Sequence, residues 1–328
     1  MTEKKRIVSG MRPTGALHLG NYHGALKNWI SMQDSHDCFF FIADWHALTS
    51  NYEDTGDIPS FTRQMIIDWL SAGLAPEKST LFVQSHIKEH AELFLLLSMI
   101  TPTPWLERNP TYKDQIDQLN NKDLSTFGFL GYPVLQAADI IIYKAQGVPV
   151  GIDQAPHIEI TREIARRFNY LYGNVFPEPE TILTEMAKIL GTDRRKMSKS
   201  YHNAIYLSDT PEAIMSTVLK MVTDPQRARK SDPGNPHVCN VYEFHRLYSP
   251  ESMVSTIDKE CRSARIGCVD CKKMMAKNLI DVLAPIRKKN LYFKDHPEIV
   301  DDILASGEKK AGQVARETLE EVREAVNL

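Results

Sequence analysis

Three groups of residues in the 328-residue chain have the types and spacing for chemistry. "HLGN" at 18–21 sets Gly20, where a ligand can approach the backbone closely, between His18 and Asn21, which can donate to phosphate oxygens. "KMSKS" at 196–200 places Lys196 and Lys199 three residues apart in a polar loop, and lysine is a compact, mobile cation suited to a departing pyrophosphate. The third group is Cys239, Cys261, Cys268 and Cys271, in the pattern C-x21-C-x6-C-x2-C. A CxxC pair grips one metal from a tight turn, which Gly267 helps to form, and four thiolates without a histidine ligand suit tetrahedral Zn2+ or an iron–sulfur cluster. The basic residues Arg262, Arg265, Lys272 and Lys273 would offset the thiolate charge. Cys38, inside the apolar run "CFFFIA", reads as a plain buried thiol.

These groups need elements to hold them. "RIVSGM" reads as a strand ending just before the loop "PTGALHLGN", and "YHGALKNWISMQ" has apolar residues at helical spacing. "CFFFIADWHAL" reads as a second buried strand, "DIPSFTRQMIIDWLSAGL" as a capped helix, "STLFVQS" as a third strand and "GVPVG" as a short one. Strand–helix–strand at this spacing predicts an α/β fold, a Rossmann-like doubly wound parallel sheet whose ligands sit at the carboxyl ends of its strands. Helices are expected at 88–100, over "FLGYPVLQAADIIIYKAQ" and over "QAPHIEITREIARRF", with a polar region at 101–126 between the first two. Beyond residue 205 helical patterns dominate, so the expected division is a catalytic domain at 1–205 followed by a mainly α-helical C-terminal domain at 206–328.

Bulk composition narrows the classes. The chain is 42% hydrophobic and 25% charged, and no apolar run approaches the roughly 20 residues of a membrane helix. "MTEKKRIVSG" lacks the apolar core of a secretory signal, so a cytoplasmic location is expected, and there five cysteines favour ligands or free thiols over disulfides. A net charge of −3 excludes an indiscriminate polyanion binder but allows a local basic face such as "DPQRARK" at 224–230.

"PTGALHLGN" together with "KMSKS" resembles the signature pair of the class I aminoacyl-tRNA synthetases. "ADWHALT", "YPVLQAAD" and "VPVGIDQAPHIEITREIARRFN" are similar to the tryptophanyl-tRNA synthetases in particular, and the cysteine pattern to their subgroup with a C-terminal cysteine cluster. The resemblance runs over essentially the whole chain. It implies a reaction in which the carboxylate of L-tryptophan attacks the α-phosphate of ATP, with Mg2+ sharing the phosphate charge, before the acyl group passes to tRNA(Trp). Such chemistry relies on positioning and charge stabilisation and needs no covalent enzyme intermediate.

The resemblance also implies roles for residues. Met11, Arg12, Pro13, Thr14, Gly20, Asn21, Lys113, Ile189, Met197, Ser198 and Ser200 would line ATP, with Gly151, Ile152 and Asp153 at its ribose and adenine. His18, Asn21, Lys196 and Lys199 would carry the catalysis. Val8, His46, Tyr132, Gln136, Asp139, Val148, Val150 and Gln154 would surround tryptophan. Tyr132, Gln136 and Asp139 share one helical face at i, i+4 and i+7. An aspartate there can accept the indole N–H, and phenylalanine would leave it unpaired. Ile152 stands where the family usually has an acidic residue, which spares a backbone contact to ATP but removes a side-chain one. The cysteines are implied to hold a [4Fe–4S] cluster in preference to zinc, in a structural or tRNA-orienting role. A homodimer with its interface near 85–145 is also implied. Three alternatives stand beside this: a tyrosyl-tRNA synthetase, which shares the fold and a Tyr/Gln/Asp set, a catalytically silent synthetase-like binding protein, and a plain nucleotidyltransferase. An intact pair of phosphate motifs speaks against the silent protein, and the long helical C-terminal half against the nucleotidyltransferase.

Overall fold

The computed structural model describes residues 4–109, 126–183 and 189–328. They gather into two compact units: one of Met1–Gly15, Ala25–Met186 and His296–Leu328, the other of Ala16–Gly24 and Ala187–Asp295. The chain thus does not part at residue 205. The segment bearing "HLGN" lies in the same unit as the "KMSKS" loop, and the last 33 residues lie with the sheet.

The first unit is an α/β layer built on five parallel strands in the order β3-β2-β1-β4-β5. They are β1 (Arg6–Met11), β2 (Asp37–Ile42), β3 (Ser79–Val83), β4 (Gly147–Val150) and β5 (Glu180–Leu183). All of β3, and all of β2 except Asp37, is buried. That is the pattern of strands covered by helices on both faces. Gly10 in β1 is required by the packing, because a Cβ there would lie 2.5 Å from the Phe41 ring of β2. The run read as one strand, "CFFFIADWHAL", breaks at Ile42, and Asp44–Asn51 is a helix. β5 is half-buried and carried no alternating apolar signal, so the sequence did not announce it.

β3 forms one edge of the sheet, and the helix Pro297–Ala325 covers it. Gly307 permits this approach: a Cβ there would come within 1.9 Å of the Leu81 carbonyl oxygen. Ala311, Ala315, Leu319 and Val322 of that helix enter the same apolar core as Phe39, Phe82 and Ile141. Burying a large aliphatic side chain contributes about 1.5–3 kcal/mol, so this face accounts for the docking. Lys144 to Glu321 and Arg323 to Glu92, both at 2.6 Å, fasten its rim. The helical pattern of this segment was legible, and its packing on β3 was not.

The second unit has helices Pro211–Leu219, Asn240–Tyr248, Glu251–Arg262 and Cys268–Asp295. Its N-terminal segment is stitched in through Leu19 N–H to the Ile205 carbonyl and Leu207 N–H to the Leu17 carbonyl, both 2.9 Å. Among the described residues no helix is long and apolar enough to cross a membrane.

Candidate active site

In the first unit a cavity of about 350 Å³ opens at the carboxyl ends of β1 and β4. These neighbours run to opposite sides of the sheet order, the position where open parallel sheets hold ligands. Val8, His46, Tyr132, Gln136, Asp139, Val148, Val150 and Gln154 all line it, as do Met11 and Arg12. The helix Phe127–Ile141 supplies Tyr132, Gln136 and Asp139 from one face, as their spacing predicts.

The polar groups of this cavity are tied to one another. The Asp139 carboxylate is fully buried and accepts from His46 Nε2 at 2.7 Å, His90 Nδ1 at 2.5 Å and Gln84 Nε2, which is 2.8 Å from both its oxygens. Burial alone raises a carboxyl pKa, but here the hydrogen bonds from His46 and His90 outweigh it and hold Asp139 at about 2. Tyr132 stands 3.0 Å from His157 Nε2, and His157 Nδ1 stands 3.0 Å from the Asn109 amide. Burial raises the Tyr132 phenol against the opposing charge of Arg12, so it keeps its proton. Gln84, His90 and His157 were not singled out from sequence. The only signal they carry is a polar side chain in otherwise apolar company, which becomes informative once the fold converges them.

In the second unit His18 and Asn21 form a reciprocal cap. Asn21 N–H donates to His18 Nδ1 at 3.2 Å and His18 N–H to Asn21 Oδ1 at 3.1 Å. Nδ1 is therefore the acceptor, which leaves Nε2 to carry the imidazole proton. Burial, and then the charge of Lys199, lower the His18 pKa to about 4. Gly20 is forced by the ring beside it, since a Cβ would lie 2.9 Å from His18 Nδ1, and it would also lie 3.4 Å from Met197 Cβ. "HLGN" and "KMSKS" are thus neighbours, although about 175 residues separate them in sequence.

The "KMSKS" loop hangs on Asn203, which sequence reasoning missed. Its Oδ1 accepts from Ser198 N–H at 2.8 Å, and its Nδ2 donates to Asp193 Oδ1 at 2.7 Å and to the Lys196 carbonyl at 3.2 Å. Gly191 makes room, as a Cβ there would lie 2.2 Å from Asn203 Nδ2. Ile189 and Met197 are buried anchors, while Lys196 and Ser200 are exposed. Of the other residues expected at ATP, Pro13 and Thr14 line a separate cavity of about 370 Å³ with Asp54 and Asp57. Gly151 caps the short 3-10 turn Ile152–Gln154, whose Ile152 is 73% exposed. Asp153 lies in that turn; Lys113 falls outside the described residues.

The four cysteines converge in the second unit. Burial, together with the other three thiols, pushes Cys271 up to about 12. Burial likewise raises Cys239 and Cys261. Among the described residues, no group of three or more His, Cys, Asp or Glu stands ready-arranged around a metal position. Two features depart from expectation. His245 Nε2 lies 3.5 Å from Cys271 Sγ, so the set is not free of histidine. Arg227, expected to face phosphates, turns Nη1 to Cys268 Sγ at 3.8 Å and Cys261 Sγ at 3.9 Å. Arg262 is likewise engaged, with Asp258 at 3.0 Å.

The parallel sheet with its cavity and the paired phosphate motifs define a class, and the family described as tRNA synthetases class I (W and Y) matches residues 1–284. A tryptophan–tRNA ligase of Thermotoga maritima is 55% identical, covering 98% of this chain and 99% of the relative. One from Aquifex aeolicus is 46% identical over 98% of this chain and all of the relative. The tryptophanyl-tRNA synthetase of Campylobacter jejuni, crystallised with ADP and tryptophan, superposes with a TM-score of 0.91 at 33% identity, covering 98% of this chain and 100% of that one. The chain belongs to the tryptophanyl-tRNA synthetases of class I.

Proposed function

We propose that the chain activates L-tryptophan with ATP, releasing pyrophosphate, and passes the tryptophanyl group to tRNA(Trp) in the cytoplasm. The observation that carries this reading is the meeting of His18, Gly20, Met197 and Lys199 in one unit, in a chain whose relatives are tryptophan–tRNA ligases. ATP enters as its Mg2+ complex, which shares the phosphate charge. His18 Nε2–H and the Asn21 amide donate to the phosphates, while Lys196 and Lys199 stabilise the charge gathering on the leaving pyrophosphate. Met11, Arg12, Pro13, Thr14, Gly151, Ile152, Asp153 and Lys113 complete the nucleotide contacts, Ile152 through its backbone. In the cavity, Asp139 accepts the indole N–H. His46, Tyr132, Gln136 and Gln154 place the rest of the amino acid against Val8, Val148 and Val150. Catalysis falls to 1–205, and tRNA binding to the helical part of 206–328.

Amino-acid-dependent exchange of pyrophosphate into ATP tests this. Tryptophan is expected to drive it. Faster exchange with tyrosine would establish the tyrosine enzyme instead, and the lack of exchange with any amino acid would favour a silent binding protein.

The thiols are proposed to hold a [4Fe–4S] cluster, with zinc as the alternative, through Cys239, Cys261, Cys268 and Cys271. The donor set fits in chemistry: four soft sulfurs close enough to shift one another, beside the Arg227 cation. The raised pKa values of Cys239, Cys261 and Cys271 mean that binding must expel protons, and a bound group would supply rigidity to the tRNA-facing helices. Anaerobic purification with a visible spectrum and metal analysis decides it: stoichiometric zinc in a colourless protein removes the cluster, and no metal removes the site. A homodimer is supported by exposed Leu95, Met99 and Phe127 on the packed helices Glu89–Ile100 and Phe127–Ile141. A solution mass of 37.3 kDa would overturn it.

A further inference from the structure

Behind the cavity, Asp139 is held by a chain of buried groups, His90 and Tyr143, that do not line it. His90, on the helix Glu89–Ile100, is wholly buried and bonded at both ring nitrogens. Nδ1 lies 2.5 Å from Asp139 Oδ1, and Nε2 lies 2.6 Å from the Tyr143 hydroxyl. The rings of Phe41, Phe82 and Tyr143 pack about the imidazole at 6.2, 6.3 and 5.4 Å between centroids. Water is thereby kept from competing, and each hydrogen bond in the chain is stronger for it.

The direction of the chain follows from its ends. Burial pushes the Tyr143 phenol well above its ordinary pKa, so the hydroxyl keeps its proton. Asp139 can only accept and takes the Nδ1 proton of His90, which leaves Nε2 of the neutral ring to accept from that hydroxyl. An imidazole that accepts at Nε2 carries its proton on Nδ1, which then donates to Asp139. His46 Nε2 takes the other carboxylate oxygen, and Gln84 Nε2 bridges the two. The two histidines each hold one acceptor site, one per oxygen, and Gln84 Nε2 shares the other two, so a ligand donor takes the place of one Gln84 contact. Among the described residues Gln84 Oε1 has no partner, and reversing that amide would set oxygen against oxygen, so the carboxylate fixes the amide as well.

We infer that His90, held in one tautomer between Tyr143 and Asp139, is the positioning residue that aims the Asp139 carboxylate at a ligand donor. It thereby sets the discrimination between an indole and a ring lacking N–H. This rests on the reading of Asp139 as the partner of the indole. Other features lack this directness: the acidic residues lining the second cavity have nothing beside them that points to a ligand.

The test is the ratio of kcat/KM in pyrophosphate exchange for tryptophan over its benzothienyl analogue, in which sulfur replaces the indole N–H. Tyr143→Phe, which removes the partner of His90 Nε2, is expected to lower the ratio about tenfold through KM for tryptophan, with KM for ATP unchanged. His90→Gln can accept from Tyr143 and donate to Asp139, and is expected to retain most of the ratio. An unchanged ratio in Tyr143→Phe overturns the role of His90. If Asp139→Asn lowers it at the same time, the reading of Asp139 survives and only the relay falls. A ratio near one in the unaltered enzyme overturns both. Should Tyr143→Phe fail to fold, the 15N shifts of the unaltered protein decide: a proton on Nδ1 of His90 is expected, and a bare Nδ1 overturns the inference.

Discussion

The cavity of the first unit and the loop of the second are both lined by polar side chains, but they send their hydrogen bonds in different directions. In the cavity, His46, His90 and Gln84 converge on one buried carboxylate, and Tyr132 is joined to His157 and through it to Asn109. In the loop, the fixed member is Asn203, while Lys196 reaches into solvent. A recognition site gains from groups that cannot move, because a mismatched ligand then leaves one of them unpaired. A site for a leaving pyrophosphate gains from cations that can follow charge as it shifts.

The sharpest way to break this comparison is Lys199→Ala. Adenylate formation is expected to fall by about 10²–10³ in kcat, with the Kd for tryptophan, measured by calorimetry, within about twofold of its original value. An equal loss in both would show that the loop also selects. A smaller effect is expected from Asn203→Ala, which removes three hydrogen bonds from the loop but no charge. Kinetics should show kcat lowered about tenfold at unchanged tryptophan affinity, since a misplaced cation loses effectiveness without being lost.

The gentlest test is pH. His18 and His245 titrate near 4 in the folded chain against 6.5 ordinarily. The unfolded chain therefore binds protons that the folded one refuses between these values, and stability declines as pH falls through that window. Asp139, at about 2 against 3.8, contributes stability that is intact above 3.8 and lost below it as pH falls towards 2. Melting temperatures across pH should show the histidine window first, on the acid side of neutrality. His18→Gln is expected to flatten it in part. An unaltered slope would mean that His18 titrates normally, as an exposed residue would.

Legibility followed the range of the interaction that decides each feature. Tyr132, Gln136 and Asp139 were readable because a helix puts i, i+4 and i+7 on one face whatever surrounds it. His90 and Asn203 were not, since a buried histidine and an asparagine look in sequence like any other polar residue. What distinguishes them is what the fold places beside them. Arg227 shows the converse: its place in a basic run suggested phosphate, and its partners turned out to be the Lys230 and Ile266 carbonyls and two cysteine sulfurs.

By itself the sequence determined the buried strands β1 to β3, the helices around them and the two phosphate segments, since periodicity, glycine placement and local charge act over a few residues. Only the tertiary structure decided that Pro297–Ala325 returns to cover β3, because that depends on Gly307 meeting a backbone carbonyl more than 200 residues away in sequence. The same holds for the chain from Tyr143 through His90 to Asp139. Asp139 and Tyr143 stand at the end of one helix and in the turn after it, and His90 comes from another helix. A hydrogen bond between buried groups exists only where packing has removed the water that would otherwise satisfy them.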